Sequence, residues 1–233
     1  MLFKNTPVRG TLVSRYKRFL ADVRLESGPT VTAHCANTGS MLQVSEPGSP
    51  VMLTAADNPA RSTRWDWQAT MVNGLWAGIN TSTPNILVRE GFETGAIPEF
   101  AGYDSIRAEV PFGNGSRIDA VLSGPGGDFH VEAKNVTLVV DGRALFPDAM
   151  TARGSKHLDE LARLARSGRR SAMFYLVQRM DADSAGPAAH IDPVYRDRLV
   201  RAVSEGVEII AWRARTTPEG VFLDRPLPFV MDG

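Results

Sequence analysis

The chain of 233 residues holds one cysteine, Cys35, so no intramolecular disulfide can form and a disulfide-stapled secreted scaffold is excluded. Cys35 follows His34, but no second Cys/His pair accompanies them, which argues against a structural zinc. No stretch approaches the roughly 18 consecutive apolar residues of a membrane-spanning helix. The first residues, Met1-Leu2-Phe3-Lys4-Asn5-Thr6-Pro7, have no apolar run long enough for a signal peptide. A reducing cytoplasm is therefore the expected location, with no membrane as a partner. Net charge is missing too, with 26 basic residues against 26 acidic ones. Any attraction for a polyanion must then come from how the charge is distributed.

That distribution is uneven. Residues 1–26 are net +4 and residues 151–180 net +5, whereas 27–150 are net −6 and 181–233 net −3. Two basic regions flanking an acidic centre can guide a polyanion towards a metal. Ordinary solvated helix faces would give the same counts.

What the sequence does contain is enough apolar residues, 43%, for a real core in one large domain or two small ones. Its first third reads as β structure. Arg18–Leu25, Thr30–Cys35 and Val51–Thr54 are strand-like, and Asn73-Gly74 joins Trp65–Val72 to Leu75–Asn80 as a hairpin. Short strands with Gly/Pro turns predict a small OB-like β-barrel over residues 1–82, with Trp65, Trp67 and Trp76 in its core. Thr83-Pro84 then opens a helix that runs to Gly95. Strands are expected near 105–112, 116–122 and 129–139, a helix from Thr151 to Arg166, and a buried strand Ala172–Val177. A helix near 193–204 and a strand Val207–Trp212 complete an α/β domain over 83–233.

Chemistry concentrates in Ser116-Arg117-Ile118-Asp119 and Val131-Glu132-Ala133-Lys134. A period of two puts Glu132 and Lys134 on one face of their strand and Phe129, Val131 and Ala133 on the other. The order helix, strand, strand with Asp, strand with Glu-x-Lys, helix, strand is that of the PD-(D/E)XK nuclease-like core. In such a site Asp119 and Glu132 hold Mg²⁺ or Mn²⁺, and Lys134 positions water or stabilises the transition state. Glu90, on the preceding helix, is the first candidate for a further acid and Glu109 the second. By itself the pattern also fits a solvent-exposed strand face with a surface Glu–Lys pair.

Arg153, Lys156 and His157 cluster at the start of the next helix, where a phosphate is attracted. Gln178-Arg179 closes the buried strand. Near the N-terminus, Arg15-Tyr16-Lys17-Arg18-Phe19 interleaves basic and aromatic residues, which suits nucleic-acid backbone contacts plus stacking. Arg15, Lys17 and Arg18 are thus a second candidate binding set.

Together these segments resemble the sugar fermentation stimulation protein A family. The resemblance is carried by Arg15–Val23, His34-Cys35-Ala36-Asn37-Thr38-Gly39, Asn80-Thr81, Ser116–Asp119, Val131–Leu138, and Phe146-Pro147-Asp148-Ala149 with Arg153–Leu158. Ala133 departs from a common valine and Ala36 from a usual proline. The resemblance implies an N-terminal OB-like domain, a C-terminal nuclease-like domain, DNA binding and a link to regulation of maltose metabolism in bacteria. The partners expected are DNA and, in a homodimer, a second copy of the chain. Two functions stay open: a DNA-binding protein with a nuclease-like metal site, or an active metal-dependent nuclease.

Overall fold

In the computed structural model, which describes residues 1–58, 60–112 and 116–231, two sheets of six strands divide the chain. The first contains β1 (Val8–Tyr16), β2 (Leu20–Leu25), β3 (Thr30–Cys35), β4 (Pro50–Ala55), β5 (Trp65–Val72) and β6 (Leu75–Gly78), in the order β3-β2-β1-β4-β5-β6. A parallel pairing of β3 with β5 closes five of them into an OB barrel. Alternate residues of these strands, among them Leu12, Val23, Ala33, Cys35, Leu53 and Trp67, fill its interior. Asn73 and Gly74 both adopt positive φ, 53° and 77°, as the two-residue β5–β6 turn requires. Of the three barrel tryptophans only Trp67 is fully buried; Trp65 and Trp76 are partly exposed, Trp76 beneath the Arg9 guanidinium.

The α/β domain begins with α1 (Thr83–Glu93), followed by β7 (Ser105–Phe112), β8 (Ser116–Gly124) and β9 (Gly127–Val136). A small sheet takes β10 (Leu138–Val140), β11 (Arg143–Phe146) and β13 (Ser184–Pro187). Between these come α2 (Ala152–Arg166) and β12 (Arg170–Val177), and the chain finishes with α3 (Pro193–Ser204), β14 (Glu208–Thr217) and β15 (Gly220–Pro226). The main sheet has the order β15-β14-β12-β9-β8-β7, parallel at β14–β12–β9 and antiparallel outside. β12 is apolar on both faces. Ala172, Phe174 and Leu176 pack with Leu87 and Val88 of α1, whereas Met173, Tyr175 and Val177 pack with Leu158 and Leu161 of α2 and Tyr195 of α3. A sheet covered on both faces needs such a run.

Cap chemistry sets where the helices start. Thr151 accepts from the Gly154 N–H at 3.0 Å as the N-cap of α2. The buried Asp192 caps α3 through the Tyr195 N–H at 2.9 Å and takes the Thr151 N–H at 2.8 Å, so one carboxylate ties both helix starts together. At Gly154 a Cβ would stand 2.7 Å from Thr151 and 3.1 Å from the Tyr195 ring. The first turn of α2 is thereby pressed against α3 and aimed at β9.

Side chains lock the barrel to the α/β domain. The buried Arg179 donates to Gln43 of the barrel at 3.2 Å, to the Thr137 carbonyl at 3.0 Å, and to Asp181 with both arms of its fork. Asp148 accepts from the Met41 N–H at 2.7 Å, and Gln178 donates to the Asn80 carbonyl at 3.1 Å. A Cβ at Gly78 would come within 2.0 Å of the Gln178 side-chain oxygen, so this approach requires glycine.

Candidate metal and phosphate site

β8 and β9 pair from Gly124–Gly127 to Ala120–Val131, and there the ladder ends. Beyond it the Ala133 N–H donates to Asp119 Oδ2 at 2.8 Å, and Asn85 of α1 donates to Asp119 Oδ1 at 3.1 Å. The Asp119 carboxylate is therefore oriented by a strand on one side and a helix on the other. On the side of β9 that faces α2, Lys134 Nζ donates to Glu132 Oε1 at 2.6 Å. His157 reaches the same Glu132 oxygen through Nδ1, which also lies 3.0 Å from Lys134 Nζ. Arg153, one turn earlier on α2, donates to His157 Nε2 at 3.5 Å.

These groups are recessed. The side chains of Glu132, His157 and Lys134 are 4%, 7% and 13% exposed. Burial, and after it the charge of Glu132, pushes the Asp119 carboxyl above its usual value, against the hydrogen bonds it accepts. Burial also pushes Glu132 up, but the His157 hydrogen bond and the Lys134 charge outweigh it, and its carboxyl lies below the usual range. Two neighbouring carboxylates thus differ because one has cationic and imidazole partners and the other has only amides. Among the described residues no group of three or more His, Cys, Asp or Glu is placed to hold a metal. The protein's acidic donors here are two carboxylates.

The structure brings together Asp119, Glu132, Lys134 and His157, with Arg153 at the rim. Glu90 is not among them. It sits five residues beyond Asn85 on α1, hence on another side of that helix, and it accepts from the Met1 ammonium at 2.5 Å. Glu109 lies opposite Asp119 in the β7–β8 hairpin but points outward to Arg117 at 3.3 Å; its φ is +51°. Asn85 is the α1 residue that reaches the site. An asparagine one residue after the Thr83-Pro84 helix start gives little sequence signal, because residue type draws attention to acids.

The remaining basic candidates divide. Lys156 is exposed and pairs with Glu160 at 3.7 Å. Lys17 is exposed at the tip of the β1–β2 hairpin. Arg15 is half-buried and Arg18 exposed, and both brace a loop: Arg15 donates to the carbonyls of Asn37 and Gly39 at 3.0 and 2.8 Å, and Arg18 to that of Thr38 at 2.8 Å. Their guanidinium groups thus hold a loop while keeping their charge. That loop matters for the site. With Thr81, Phe146 and Asp148 it walls a cavity of about 260 Å³ beside Lys134 and Asn135.

Comparison with known proteins agrees with this fold. A family model described as the SfsA N-terminal OB domain matches residues 13–79, and one described as the sugar fermentation stimulation protein RE domain matches residues 82–220. A sugar fermentation stimulation protein homolog of Geobacter sulfurreducens is 54% identical over 219 residues, 94% of each chain. Another, from Paramagnetospirillum magneticum, is 49% identical over 228 residues, 97% of each chain. The fold matches the solved structure of Pyrococcus furiosus SfsA in complex with Ca²⁺, with a TM-score of 0.91 and 25% identity over 99% of this chain and 98% of that one. The chain belongs to the sugar fermentation stimulation protein family.

Proposed function

We propose that this protein binds DNA and hydrolyses phosphodiester bonds at a divalent-metal site held by Asp119 and Glu132. The carrying observation is the recessed cluster itself: two carboxylates against one ammonium at the point where β8 and β9 part. The donor set fits Mg²⁺ or Mn²⁺, which take hard oxygen ligands and are often held by one or two carboxylates, with waters and substrate phosphate completing the shell. That the Pyrococcus furiosus relative was solved with Ca²⁺ supports a divalent cation. When bound, the metal lowers the pKa of a coordinated water and offsets charge on the phosphate.

The chain's own residues do the rest. Ala133 and Asn85 fix Asp119 in one orientation. His157 fixes Glu132, and Lys134 supplies a positive charge where a phosphate gains negative charge in the transition state. Arg153 and the N-terminus of α2 favour the incoming phosphate. Lys17 and Lys156 are further exposed cations for the backbone.

A second reading, DNA binding without hydrolysis and in the service of sugar (maltose) regulation, is favoured by one observation. Glu132 is already engaged by Lys134 and His157. The two readings part on incubation of the purified protein with labelled DNA and RNA in Mg²⁺ or Mn²⁺. Hydrolysis that Glu132→Gln abolishes, with binding and melting temperature retained, supports the nuclease. Binding with no hydrolysis selects the second reading, and hydrolysis indifferent to Glu132→Gln belongs to a contaminant.

A further inference from the structure

The cavity beside Lys134 has a volume of about 260 Å³. It lies below the roughly 300–1,000 Å³ of pockets for drug-sized ligands, so it is too small for a base pair and suits one base with its sugar, the phosphate lying outside it towards Lys134. We infer that this cavity receives one unpaired nucleotide, so that the substrate is single-stranded nucleic acid or an unpaired end in preference to intact duplex. This rests on the nucleic-acid reading above and names the substrate class of the same site.

Three observations carry it. First, the site is recessed: Glu132 is 4% and Lys134 13% exposed, so a scissile phosphate must descend to reach them. A stacked duplex presents its backbone on the outside of a stiff cylinder, whereas a single strand can bend into a slot.

Second, the wall opposite β9 is fixed. The loop from Ala36 to Met41 is held by Arg15 and Arg18 from the hairpin, by the Thr81 hydroxyl donating to the Ala36 carbonyl at 3.0 Å, and by Asp148 on the Met41 N–H at 2.7 Å. Five contacts from three elements make it a wall rather than a lid that could swing aside for a duplex.

Third, the lining suits a base and sugar. Asn37 uses its oxygen on the Gly39 N–H and Asn135 uses its oxygen on Gln178, which leaves the NH₂ group of each to donate to acceptors on a base edge. Thr38 and Thr81 add hydroxyls. Phe146, its ring set 5.2 Å from Tyr195 and 5.7 Å from Tyr175, provides a fixed aromatic wall for stacking.

The test compares binding of a labelled single-stranded oligodeoxynucleotide, its blunt duplex and single-stranded RNA of the same sequence, by fluorescence anisotropy in Ca²⁺. Either single strand should bind at least about tenfold more tightly than the duplex, and the better of the two identifies the sugar. Thr38→Trp places a bulky ring in the cavity from an exposed loop position, so it should weaken single-strand binding about tenfold and collapse that preference. A melting curve reports whether the variant is folded, and if it is not, the wild-type ratio decides alone. Equal or tighter binding of the duplex, or single-strand binding indifferent to a folded Thr38→Trp, overturns the cavity inference while leaving the nucleic-acid reading standing. Binding of none of the three probes overturns both.

Discussion

Two clusters, each an acid, a cation and a histidine, reach a cavity, the first through Lys134 alone and the second through all three members. One is Glu132, Lys134 and His157 on β9 and α2. The other is Asp66, Arg61 and His34 on the barrel, where Arg61 forks onto Asp66 at 2.9 and 3.1 Å and His34 lies 3.3 Å away. The barrel cavity is the larger, about 340 Å³ against 260 Å³. Residue type and cavity size therefore fail to tell them apart. Balance and burial do. Asp66 has one guanidinium for one carboxylate, and its members are 24–37% exposed, so water and Arg61 satisfy it. Glu132 is almost wholly buried, and it and Asp119 set two carboxylates near the one ammonium of Lys134, which leaves negative charge for a cation to meet.

That contrast can be broken or sharpened by substitution. The largest effect is expected at Glu132. Glu132→Gln should lower any phosphodiester hydrolysis by at least about a hundredfold, measured as single-turnover rate in Mn²⁺. Asn85→Ala, which removes one of the two donors to Asp119, should weaken Mn²⁺ affinity about tenfold with the fold intact, as a titration followed by Mn²⁺ electron paramagnetic resonance would show.

Asp181→Asn acts on the junction instead. It leaves the buried Arg179 without its bidentate partner and should cost about 2 kcal/mol in denaturant unfolding, less than for a fully buried pair because Asp181 is partly exposed. Burial pushes the Asp181 carboxyl up, but the hydrogen bonds from Arg179 and Asn73 outweigh it and its pKa is lowered on folding. This contribution is complete above the ordinary carboxylate range near pH 4 and fades as pH falls through the lowered value. The wild-type advantage over Asp181→Asn should shrink in that acid window. Smallest of all, Asp66→Asn should change stability by less than about 1 kcal/mol and leave hydrolysis unaltered.

Much of the α/β domain could be read from the chain because its signals are local. The apolar run Ala172–Val177, the period of two at Glu132 and Lys134, and the helix ending at Arg166 each appear as read. β1 could not be read. Gly10 takes an inward position where a Cβ would meet Val23 at 2.6 Å, and a bulge between Leu12 and Ser14 breaks the alternation. Strands β10, β11 and β13 have only three or four residues, and their pairing is non-local. At the site, the strand residues were legible and the helix contribution was not. Which face of α1 meets Asp119 is decided by the packing of Leu87 and Val88 on the sheet, so Asn85 arrives and Glu90 turns to Met1. The loop-bracing role of Arg15 and Arg18 was hidden for a similar reason. Their partners are backbone carbonyls some 20 residues away, which no charge pattern reveals.

The central claim is that Asp119 and Glu132 share a divalent cation beside Lys134. The most direct measurement is anomalous difference density from a crystal soaked in Mn²⁺. The account predicts a peak bound by oxygens of both carboxylates at about 2.0–2.4 Å, with Lys134 beside it. A map without such a peak, in which Glu132 still holds Lys134 and His157 at saturating Mn²⁺, would contradict it.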